Sequence, residues 1–597
     1  MFLSRIYIAN FRNFSELDLS LSGNAVVVGE NRVGKSNLLY ALRLLLDPSL
    51  PDSSRQLSMS DFWDGLEDLE DDDKIEICVE IRDFDSDLKI LALVTDFRLD
   101  DDPETVRLTY EFRAKPDLEE DPTSDSDYEF VCYGGESETK QFGHELRRRL
   151  TMDLLPALRD AEGDLATWRR SPIRPLIENA FRNIDKEGLE EIAESIGETT
   201  KKIAEFDEIK ELEKEIAQLF AKMSGPRQDI KPSLGFSPTD PTRLYRNMRL
   251  LIDGGVRSIS EASLGSANLV FLSLKTLQIN QLIEENARDH TFLAIEEPEA
   301  HLHPHLQRSV YRHLFESVDA ESPTSVFLTT HSPHIASVAP LRSVVLLKET
   351  KDEGTVGCST ASIKLSEGEV DDLARYLDVT RAEMLFARGV ILVEGDAERF
   401  LVPAAARILD KPLDHLGITV CSVAGTNFVP YVKLLTGLGI PFAVVTDWDD
   451  LEGYDNPLGW TRSVDIVSII EEMRTGKSSK TLVDELNAMD DPNEFCNTCA
   501  KFGVFSNFDT LEVDLFGNAA YRPLVAATLR EGPFGAKRLQ RLEAWEKAPD
   551  EIDRAQFLSM VEEIGKGRFA QRLAARIDKQ KPLQYLADAI NFVASRV

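Results

Sequence analysis

Residues 29–36, GENRVGKS, have the residue types and spacing of a loop that binds the phosphates of a nucleotide. They match GxxxxGK[ST] and lie between an apolar strand pattern, AVVVG, and a helical pattern, SNLLYALRLLL. In such a loop, backbone N–H groups surround phosphate oxygens, the lysine reaches the β- and γ-phosphates, and the serine hydroxyl can ligate Mg²⁺. The residues predicted to bind ATP here are Gly29, Asn31, Gly34, Lys35, Ser36 and Asn37, with Ser36 also a metal ligand.

Two carboxylates end a later apolar strand pattern, TFLAIEEPEAHLHP, at residues 291–304. With a phosphate loop present, Glu296 is expected to hold the Mg²⁺ that accompanies ATP, and Glu297 to polarise the attacking water. The alternative role for these carboxylates is the capping of a helix. The next strand pattern, SVFLTTHSPH, places His331 where it would sense the γ-phosphate.

A third segment, SEASLGSANLVFLSL at residues 260–274, combines small polar residues with a helical pattern. Ser263, Gly265 and Asn268 are expected to precede that helix, so its N-terminus could contact a phosphate.

A second group of carboxylates follows strand patterns in the C-terminal third of the chain. GVILVEG contains Glu394 just before its final glycine, Glu398 follows one helical turn later, and IPFAVVTDWDD contains Asp447 and Asp449. Because parallel strands direct their C-terminal ends to one crevice, these four carboxylates are expected to meet there. Their repulsion and hard oxygen ligands predict a Mg²⁺ or Mn²⁺ site; solvated acids at strand ends are the alternative.

The elements that must position these residues follow an α/β pattern. Strand and helix patterns are expected to alternate from residue 1 to about 150, and to resume after a loop at 232–242. Between them, apolar residues recur at three- and four-residue steps over 184–224, which predicts long amphipathic helices that pack in cis or form a dimer contact.

The composition is that of a globular protein with a large negative charge. The 597 residues include 104 Asp and Glu against 68 Lys and Arg, for a net charge of −36, and single cores stop growing near 250–300 residues, so at least two domains are needed. No apolar run approaches the roughly 18 residues of a membrane span. The absence of a signal-peptide pattern and the six scattered cysteines predict a cytoplasmic protein without a membrane partner.

The charge is unevenly distributed. Residues 61–130 hold 26 acidic and 7 basic residues, whereas 564–581 is a basic segment. The negative total would disfavour a nucleic-acid partner, but a basic segment and bound metal ions would favour contact locally.

The nucleotide motifs, in this order, resemble the ABC-type ATPase heads of the SMC/RecF group. The resemblance implies that Ser263 and Gly265 of one protomer contact ATP on the phosphate loop of another, and that the chain forms a homodimer or a higher homo-oligomer. The sequence SLGSAN departs from the LSGGQ form, Glu296 replaces the more usual Asp, and Gln56 is a weak candidate for the glutamine loop.

VEGxxE followed by DxD is similar to the Toprim fold, and an ATPase head followed by Toprim resembles the OLD (overcoming lysogenization defect) nucleases, the group that includes the Gabija nuclease. The resemblance implies a further acidic ligand, best matched by Glu512, although Asp509 and Asp514 lie close by, and a lysine, best matched by Lys566. In that scheme two metal ions clamp the scissile phosphate while the lysine offsets developing charge. Lys566 as an ordinary surface lysine is the alternative.

The predicted fold is therefore α/β, an ABC-type ATPase head with a helical, dimerising insertion and a C-terminal Toprim domain. The predicted boundaries are 1–160 and 236–378 for the head, 161–235 for the insertion and 379–597 for Toprim.

The leading hypothesis is an ATP-binding DNA endonuclease that needs divalent metal, acting in antiphage defence or DNA processing, with two Mg²⁺ or Mn²⁺ ions at the nuclease site and one with ATP. A helicase of the UvrD type is a candidate partner. The alternative is a RecF- or SMC-like DNA-binding ATPase whose Toprim domain is structural only. A topoisomerase is disfavoured because no length remains for a domain carrying the nucleophilic tyrosine.

Overall fold

The structure is a computed structural model, and it describes residues 1–66, 69–70, 72–116, 118, 121–157, 160–182, 184–224, 234, 246, 248–318, 322–350, 352–449, 456–577 and 579–597. Two units divide the chain: unit 1 contains residues 1–157 and 290–597, and unit 2 contains residues 158–289. Unit 2 is thus an insertion within the sequence of unit 1. The predicted loop at 232–242 lies outside the described residues, apart from Leu234.

An eleven-stranded mixed sheet carries the N-terminal part of unit 1, in the order β6-β5-β4-β1-β2-β13-β12-β3-β11-β10-β7. Its strands are β1 (Phe2–Phe11), β2 (Phe14–Ser20), β3 (Ala25–Gly29), β4 (Lys74–Arg82), β5 (Val106–Ala114), β6 (Tyr128–Gly134), β7 (Leu150–Leu155), β10 (His290–Glu296), β11 (Thr324–Thr329), β12 (Val344–Thr350) and β13 (Gly354–Ser359).

The sheet has a parallel and an antiparallel part. β3 pairs in parallel with β11 and β12, and every residue of β3 is buried, as expected for a central strand with an unbroken apolar sequence. By contrast, β1, β2, β4, β5 and β6 pair antiparallel. The expected alternation of strands and helices up to residue 150 is confirmed in part: helices separate β3 from β4, β4 from β5 and β6 from β7, but period-two patterns such as KIEICVEI form antiparallel strands.

The helices of this part of unit 1 flank the sheet. They are α1 (Lys35–Leu46), α2 (Asp52–Arg55), α3 (Leu88–Val94), α4 (His144–Arg149), α10 (Pro304–Glu316), α11 (Pro333–Ala336), α12 (Glu367–Tyr376) and α13 (Val379–Ala382). Leucines of α1 pack against the sheet in a core that includes Phe112, Phe292 and Phe327. This core fixes the start of α1, and with it the phosphate loop.

Unit 2 is mostly helical. It contains α5 (Ala161–Ala166), α6 (Ile173–Arg182), α7 (Lys186–Lys201), α8 (Asp207–Ser224), α9 (Leu264–Glu284) and the short paired strands β8 (Leu251–Ile252) and β9 (Arg257–Ser258). Helices α7 and α8 confirm the predicted amphipathic pair. Several of their apolar side chains are exposed, among them Ile192, Leu212 and Leu219.

A second, four-stranded sheet forms the C-terminal part of unit 1, in the order β15-β14-β16-β17. Its strands, β14 (Gly389–Val393), β15 (Ile418–Ser422), β16 (Phe442–Thr446) and β17 (Val504–Ser506), are all parallel. The helices around it are α14 (Asp396–Ile408), α15 (Leu413–Leu416), α16 (Val429–Gly437), α17 (Leu458–Thr475), α18 (Lys480–Asn487), α19 (Pro492–Ala500), α20 (Leu511–Gly517), α21 (Arg522–Leu529), α22 (Ala536–Lys547), α23 (Arg554–Ile564), α24 (Lys566–Ala574) and α25 (Gln584–Ala594).

No helix among the described residues is both long and apolar enough to cross a bilayer.

The entry into β17 depends on a glycine. Gly503 has φ +87°, and a Cβ atom there would lie 2.7 Å from the Phe592 ring of α25 and 2.9 Å from the Phe442 carbonyl oxygen. The ring could rotate, but the backbone carbonyl of β16 could not move without disturbing the sheet.

We therefore expect Gly503→Ala to lower the free energy of unfolding by about 1–3 kcal/mol more than Gly476→Ala. Gly476 is the matched control because it also has a positive φ, +67°, but open space around its Cα. Urea denaturation of both variants measures the difference. Equal destabilisation would show that backbone strain alone, and not the close packing of α25, requires glycine at 503.

Candidate functional site

The phosphate loop joins β3 to α1 through a left-handed glycine. Gly34 has φ +87°, and a Cβ atom there would collide with the side chain of Asn13, 2.1 Å away. Asn13 donates to the Val33 carbonyl at 3.1 Å and accepts a hydrogen bond from Asn37 at 2.6 Å. Arg12 donates to the same Asn37 side chain at 2.9 Å. The loop is thus held in shape by the turn between β1 and β2, which the sequence patterns did not reveal.

Lys35 is buried and folded back onto its own loop. Its ammonium donates to the carbonyl oxygens of Gly29 at 3.0 Å and Glu30 at 2.8 Å. Burial lowers the pKa of Lys35 to about 8, and Glu297 and Glu299 oppose this by favouring the charged form. Because burial disfavours the charged form of Lys35, a bound phosphate, which carries the opposite charge, would stabilise the ammonium strongly.

The carboxylates at the end of β10 face this loop. Glu296 accepts a hydrogen bond from the Ser36 hydroxyl, so the two residues expected to hold the nucleotide's metal ion are adjacent. Glu297 has φ +42° and lies 3.4 Å from Nε2 of His331. Glu299, which sequence reasoning passed over, accepts from the backbone N–H of His331 at 2.6 Å. The structure therefore brings Ser36, Glu296, Glu297 and His331 together; Asn31 is exposed on the loop.

The expected signature segment lies in unit 2. Ser263 is the N-cap of α9, and its hydroxyl accepts from the Ser266 N–H at 3.2 Å. The expectation that Gly265 and Asn268 precede this helix is wrong, since α9 begins at Leu264 and both lie in its first two turns. In unit 1, the Gln56 side chain donates to the Tyr128 carbonyl at 3.1 Å.

A second cluster forms where the parallel strands β14 and β16 end. Glu394 follows β14, and its carboxylate accepts from the Thr446 hydroxyl at 2.6 Å and from the Asp447 N–H at 2.9 Å. Glu398 is the third residue of α14 and accepts from the Gly395 N–H at 3.1 Å. The strand order thus places Glu394 and Asp447, which are 53 positions apart, side by side, as the sequence predicts for parallel strands.

Asp447 is held by the segment that follows β17. Its carboxylate accepts from the Asn507 side chain and from the Leu511 N–H, the latter at 3.1 Å. Glu512, the next residue of α20, is only 2% exposed. We call the group formed by Glu394, Glu398, Asp447, Asp449 and Glu512 the acidic crevice.

The electrostatics of the crevice show that its carboxylates repel one another. Burial, followed by the charges of Glu394, Glu398 and Glu512, raises the pKa of Asp447 to about 8. Burial, followed by Glu512 and Glu394, raises the pKa of Glu398 to about 7. Entry of a cation would therefore release protons from these groups near neutral pH.

Among the three acidic candidates after β17, Glu512 is the one that contributes to the crevice. Asp509 pairs with Arg554 at 2.6 Å. Asp514 accepts from the Phe508 N–H at 2.9 Å, and burial raises its pKa.

Lys566, the first residue of α24, lies beside the crevice. Its ammonium is 3.7 Å from the Glu512 carboxylate. Burial disfavours the charged ammonium, but Glu512, Asp447 and Glu398 outweigh burial and raise the pKa of Lys566. The lysine is therefore charged and directed towards the carboxylates, unlike a free surface lysine.

A charged side chain of the crevice, that of Arg462, also escaped sequence reasoning. Arg462 of α17 bridges two carboxylates of the crevice, with 2.5 Å to Glu394 and 3.1 Å to Asp449, and its side chain is 13% exposed. It also donates to the Thr446 hydroxyl. Only its position in the first helix after a strand-end DxD, 13 residues beyond Asp449, could have drawn attention to it, because no motif pattern includes it.

The donor set of the crevice fits divalent metal ions. Hard carboxylate oxygens with raised pKa values are the ligands that Mg²⁺ and Mn²⁺ prefer, and the Arg462 guanidinium already shows that a cation is favoured between Glu394 and Asp449. In the part of the chain that the structure describes, no three His, Cys, Asp or Glu side chains converge as a finished metal centre. The arginine lies where two of these carboxylates would otherwise approach each other.

Two family profiles match parts of this chain. A family profile described as an AAA ATPase domain matches residues 1–153 and 151–336. A second, described as the TOPRIM domain of overcoming lysogenization defect protein-like proteins, matches residues 385–449. Together with the sheet topology, these matches confirm the predicted fold class. They also imply, in general terms, the use of a nucleotide and of divalent metal.

Several characterised or solved proteins are similar to this chain. The OLD nuclease of Thermus scotoductus is 25% identical over 466 residues, which are 75% of this chain and 82% of that protein. Endonuclease GajA of Bacillus cereus (strain VD045) is 24% identical over 470 residues, 75% of each chain. A solved structure, the C-terminal region of the Burkholderia pseudomallei OLD protein, is 38% identical and covers 35% of this chain and 98% of that chain, with a TM-score of 0.30.

Removal of the bridging arginine tests the electrostatic account of the crevice. We expect Arg462→Gln to lower the melting temperature of the protein in EDTA, because Glu394 and Asp449 lose their counter-charge. The same change should increase the affinity for Mn²⁺ several-fold, because a competing cation is gone. Calorimetry of Mn²⁺ binding measures the second effect.

Arg554→Gln is the matched control, since Arg554 pairs with Asp509 rather than with the bridged carboxylates. It should leave Mn²⁺ affinity unchanged. Weaker Mn²⁺ binding by Arg462→Gln would instead mean that the arginine supports the ligands rather than competing with the metal.

Proposed function

The chain belongs to the OLD family of proteins with an ATPase domain and a Toprim domain, and we propose that it is an ATP-binding endonuclease that cuts DNA with divalent metal. The observation that carries this proposal is the acidic crevice with Lys566 beside it. Carboxylates that hold metal ions next to one fixed ammonium are the groups that phosphodiester hydrolysis requires.

The proposed division of labour follows the positions of the side chains. Glu394, Glu398 and Glu512 all act on the charge of Asp447, so Asp447 would be a central ligand of the metal ions. Glu398 and Glu512 would hold one ion with it, and Glu394 and Asp449 the other, on the side where Arg462 lies. Bound Mg²⁺ or Mn²⁺ supplies an activated water and neutralises the scissile phosphate.

Two basic side chains add fixed positive charge to the crevice: Lys566 lies beside Glu512, and Arg462 lies between Glu394 and Asp449. The ammonium near Glu512 can donate to a phosphate oxygen that gains charge as the phosphorus becomes pentavalent. Arg462, once its carboxylates are shared with a metal ion, can turn one N–H group towards the same phosphate.

The nucleotide site supports a switching role for ATP. Glu30, in the phosphate loop, forms a two-fold ion pair with Arg388, the residue before β14, at 2.6 and 2.9 Å. A change in the loop upon ATP binding would act directly on the strand that ends in Glu394. Glu296 and Ser36 would hold the ion that accompanies ATP, and Glu297, oriented by His331, would polarise water.

We also propose partners for this protein, namely further copies of the same chain and a helicase. The exposed apolar side chains of α7 and α8 support a homodimer or higher homo-oligomer, in which Ser263 and Gly265 would contact the other protomer's ATP. A cytoplasmic role in antiphage defence or DNA processing, with or without a UvrD-like helicase, would agree with such an enzyme. A DNA-binding ATPase with a structural Toprim domain is the competing function.

Conservative changes in the crevice distinguish these two functions. We expect Glu398→Gln and Asp447→Asn to reduce cleavage of supercoiled plasmid in Mg²⁺ or Mn²⁺ by about three orders of magnitude, because each removes a metal ligand. Asp514→Asn is the control, because this half-buried carboxylate on α20 accepts a hydrogen bond from the Phe508 N–H and lies outside the crevice.

Loss of cleavage in the first two variants with retention in the control would support the metal-ion nuclease. Cleavage that persists unchanged in all three would overturn it. Wild-type protein that binds DNA and hydrolyses ATP but never nicks plasmid would favour the structural Toprim alternative.

The nucleotide site is tested separately. We expect Lys35→Ala to abolish ATP binding, measured with a fluorescent ATP analogue, because the ammonium is the buried counter-charge for the phosphates. Mn²⁺ binding at the crevice should be kept, and Lys477→Ala, an exposed lysine on unit 1, should change neither. Nucleotide affinity equal to that of the wild type would contradict the assignment of the loop.

A further inference from the structure

A cavity lined by basic side chains lies in unit 1, outside both sites described above. Its volume is about 760 Å³, and α10 forms one wall while the segment from α12 to α13 forms another. The basic residues that line it are His305, Arg308, Arg312, His313 and Arg375. We call it the basic cavity. In a chain with a net charge of −36, such a grouping calls for an explanation.

The guanidinium groups on α10 are not neutralised by carboxylates. Among the described residues, the Arg308 side chain has one hydrogen-bond partner, the His305 ring, with 2.7 Å between Nη2 and Nδ1. Arg312 makes no ion pair or hydrogen bond with any residue that the structure describes, and it is exposed. Since Arg308 and Arg312 are four residues apart on one helix, both point to the same side.

The electrostatic surroundings of His334, next to this wall, show a local excess of positive charge. His334, on α11, has a buried Nδ1 atom without a hydrogen-bond partner among the described residues. Burial, followed by Arg308, His305 and His303, lowers the pKa of His334. The surroundings therefore disfavour a further cation and favour an anion.

The acidic residues at the rim do not cancel this charge. Asp378 is already engaged as the N-cap of α13 and pairs with Arg381 at 3.6 Å. Arg375 has one distant partner, Asp371, at 3.7 Å, and both are largely exposed. Glu316, at the end of α10, remains as one carboxylate against several basic groups.

The position of the cavity connects it with the acidic crevice. Arg381 of α13, next to the cavity wall, donates to the Ser422 carbonyl at the end of β15 at 2.9 Å. The hydroxyl of Ser422 in turn donates to the Glu394 carbonyl at 3.4 Å. Two hydrogen bonds thus connect the wall of the cavity to the strand ends that carry the crevice.

We propose that the basic cavity binds backbone phosphates of DNA that extend from the crevice, which gives the enzyme a second, sequence-independent grip on its substrate. This rests on the proposed nuclease function. Guanidinium groups without carboxylate partners match phosphate oxygens in charge and in geometry. A free polyphosphate offers the same chemistry from a different source, and the two can be separated by experiment.

The test uses the full-length protein in EDTA, so that binding is measured without cleavage. We expect Arg308→Gln/Arg312→Gln to weaken binding of a fluorescent 30-base-pair duplex by roughly tenfold and to reduce the slope of log affinity against log salt by about two. The control is Arg474→Gln/Lys477→Gln, which removes two exposed charges near the C-terminal end of α17 and should have little effect. Inorganic tripolyphosphate, tested in the Lys35→Ala background, is the second ligand.

An unchanged duplex affinity and salt slope in the arginine variant would overturn the proposal. Loss of tripolyphosphate binding alone, with normal duplex binding, would also overturn it and assign the cavity to a small anion. Failure of the nuclease function would appear differently, as wild-type protein that binds duplex through these arginines yet does not cut plasmid in Mn²⁺.

Discussion

Repulsion between buried carboxylates is the constraint on which the C-terminal part of this protein depends. Glu398 and Glu512 are 7% and 2% exposed, and burial, followed by the charges of Glu394, Glu398 and Glu512, raises the pKa of the neighbouring Asp447 to about 8. In a poorly solvated crevice such charges are tolerated only if cations offset them. The arginine from α17 and the lysine from α24 do so in part, and divalent ions would complete the compensation.

The same constraint explains the architecture around the crevice. Parallel strands bring Glu394 and Asp447 to one edge, but α17 and α24 must return to that edge to place Arg462 and Lys566 there. The long helical segment after β16 therefore has two roles: it supplies apolar side chains to the core, and it positions Arg462 and Lys566 at the crevice. In the N-terminal part the buried charge is positive: the Lys35 ammonium is stabilised by Glu297, and a bound phosphate would stabilise it further.

The sequence predicted what short-range patterns can specify. The glycine loop with Lys35, the strand ending in Glu296, and Glu394 followed one turn later by Glu398 are each contained within about fifteen residues. Asn13, Asn507 and Arg462 could not be predicted in this way, because each acts through a contact with a segment distant in sequence. Gly265 shows a second limit: the helix begins at Leu264, before the expected position, so a glycine expected in a loop lies within the helix.

The order of strands in the large sheet has a consequence for how the chain folds. The buried strand β3 is synthesised early, yet its two neighbours, β11 and β12, begin at residues 324 and 344, and β7 must likewise wait for β10 across all of unit 2. At the usual 5–20 residues per second, this apolar strand emerges from the ribosome roughly 15–60 s before its partners. Such long-range pairings fold slowly, and unpaired apolar strands associate with other chains. Protection of the nascent chain by chaperones is thus a requirement that the topology itself imposes on production of this protein.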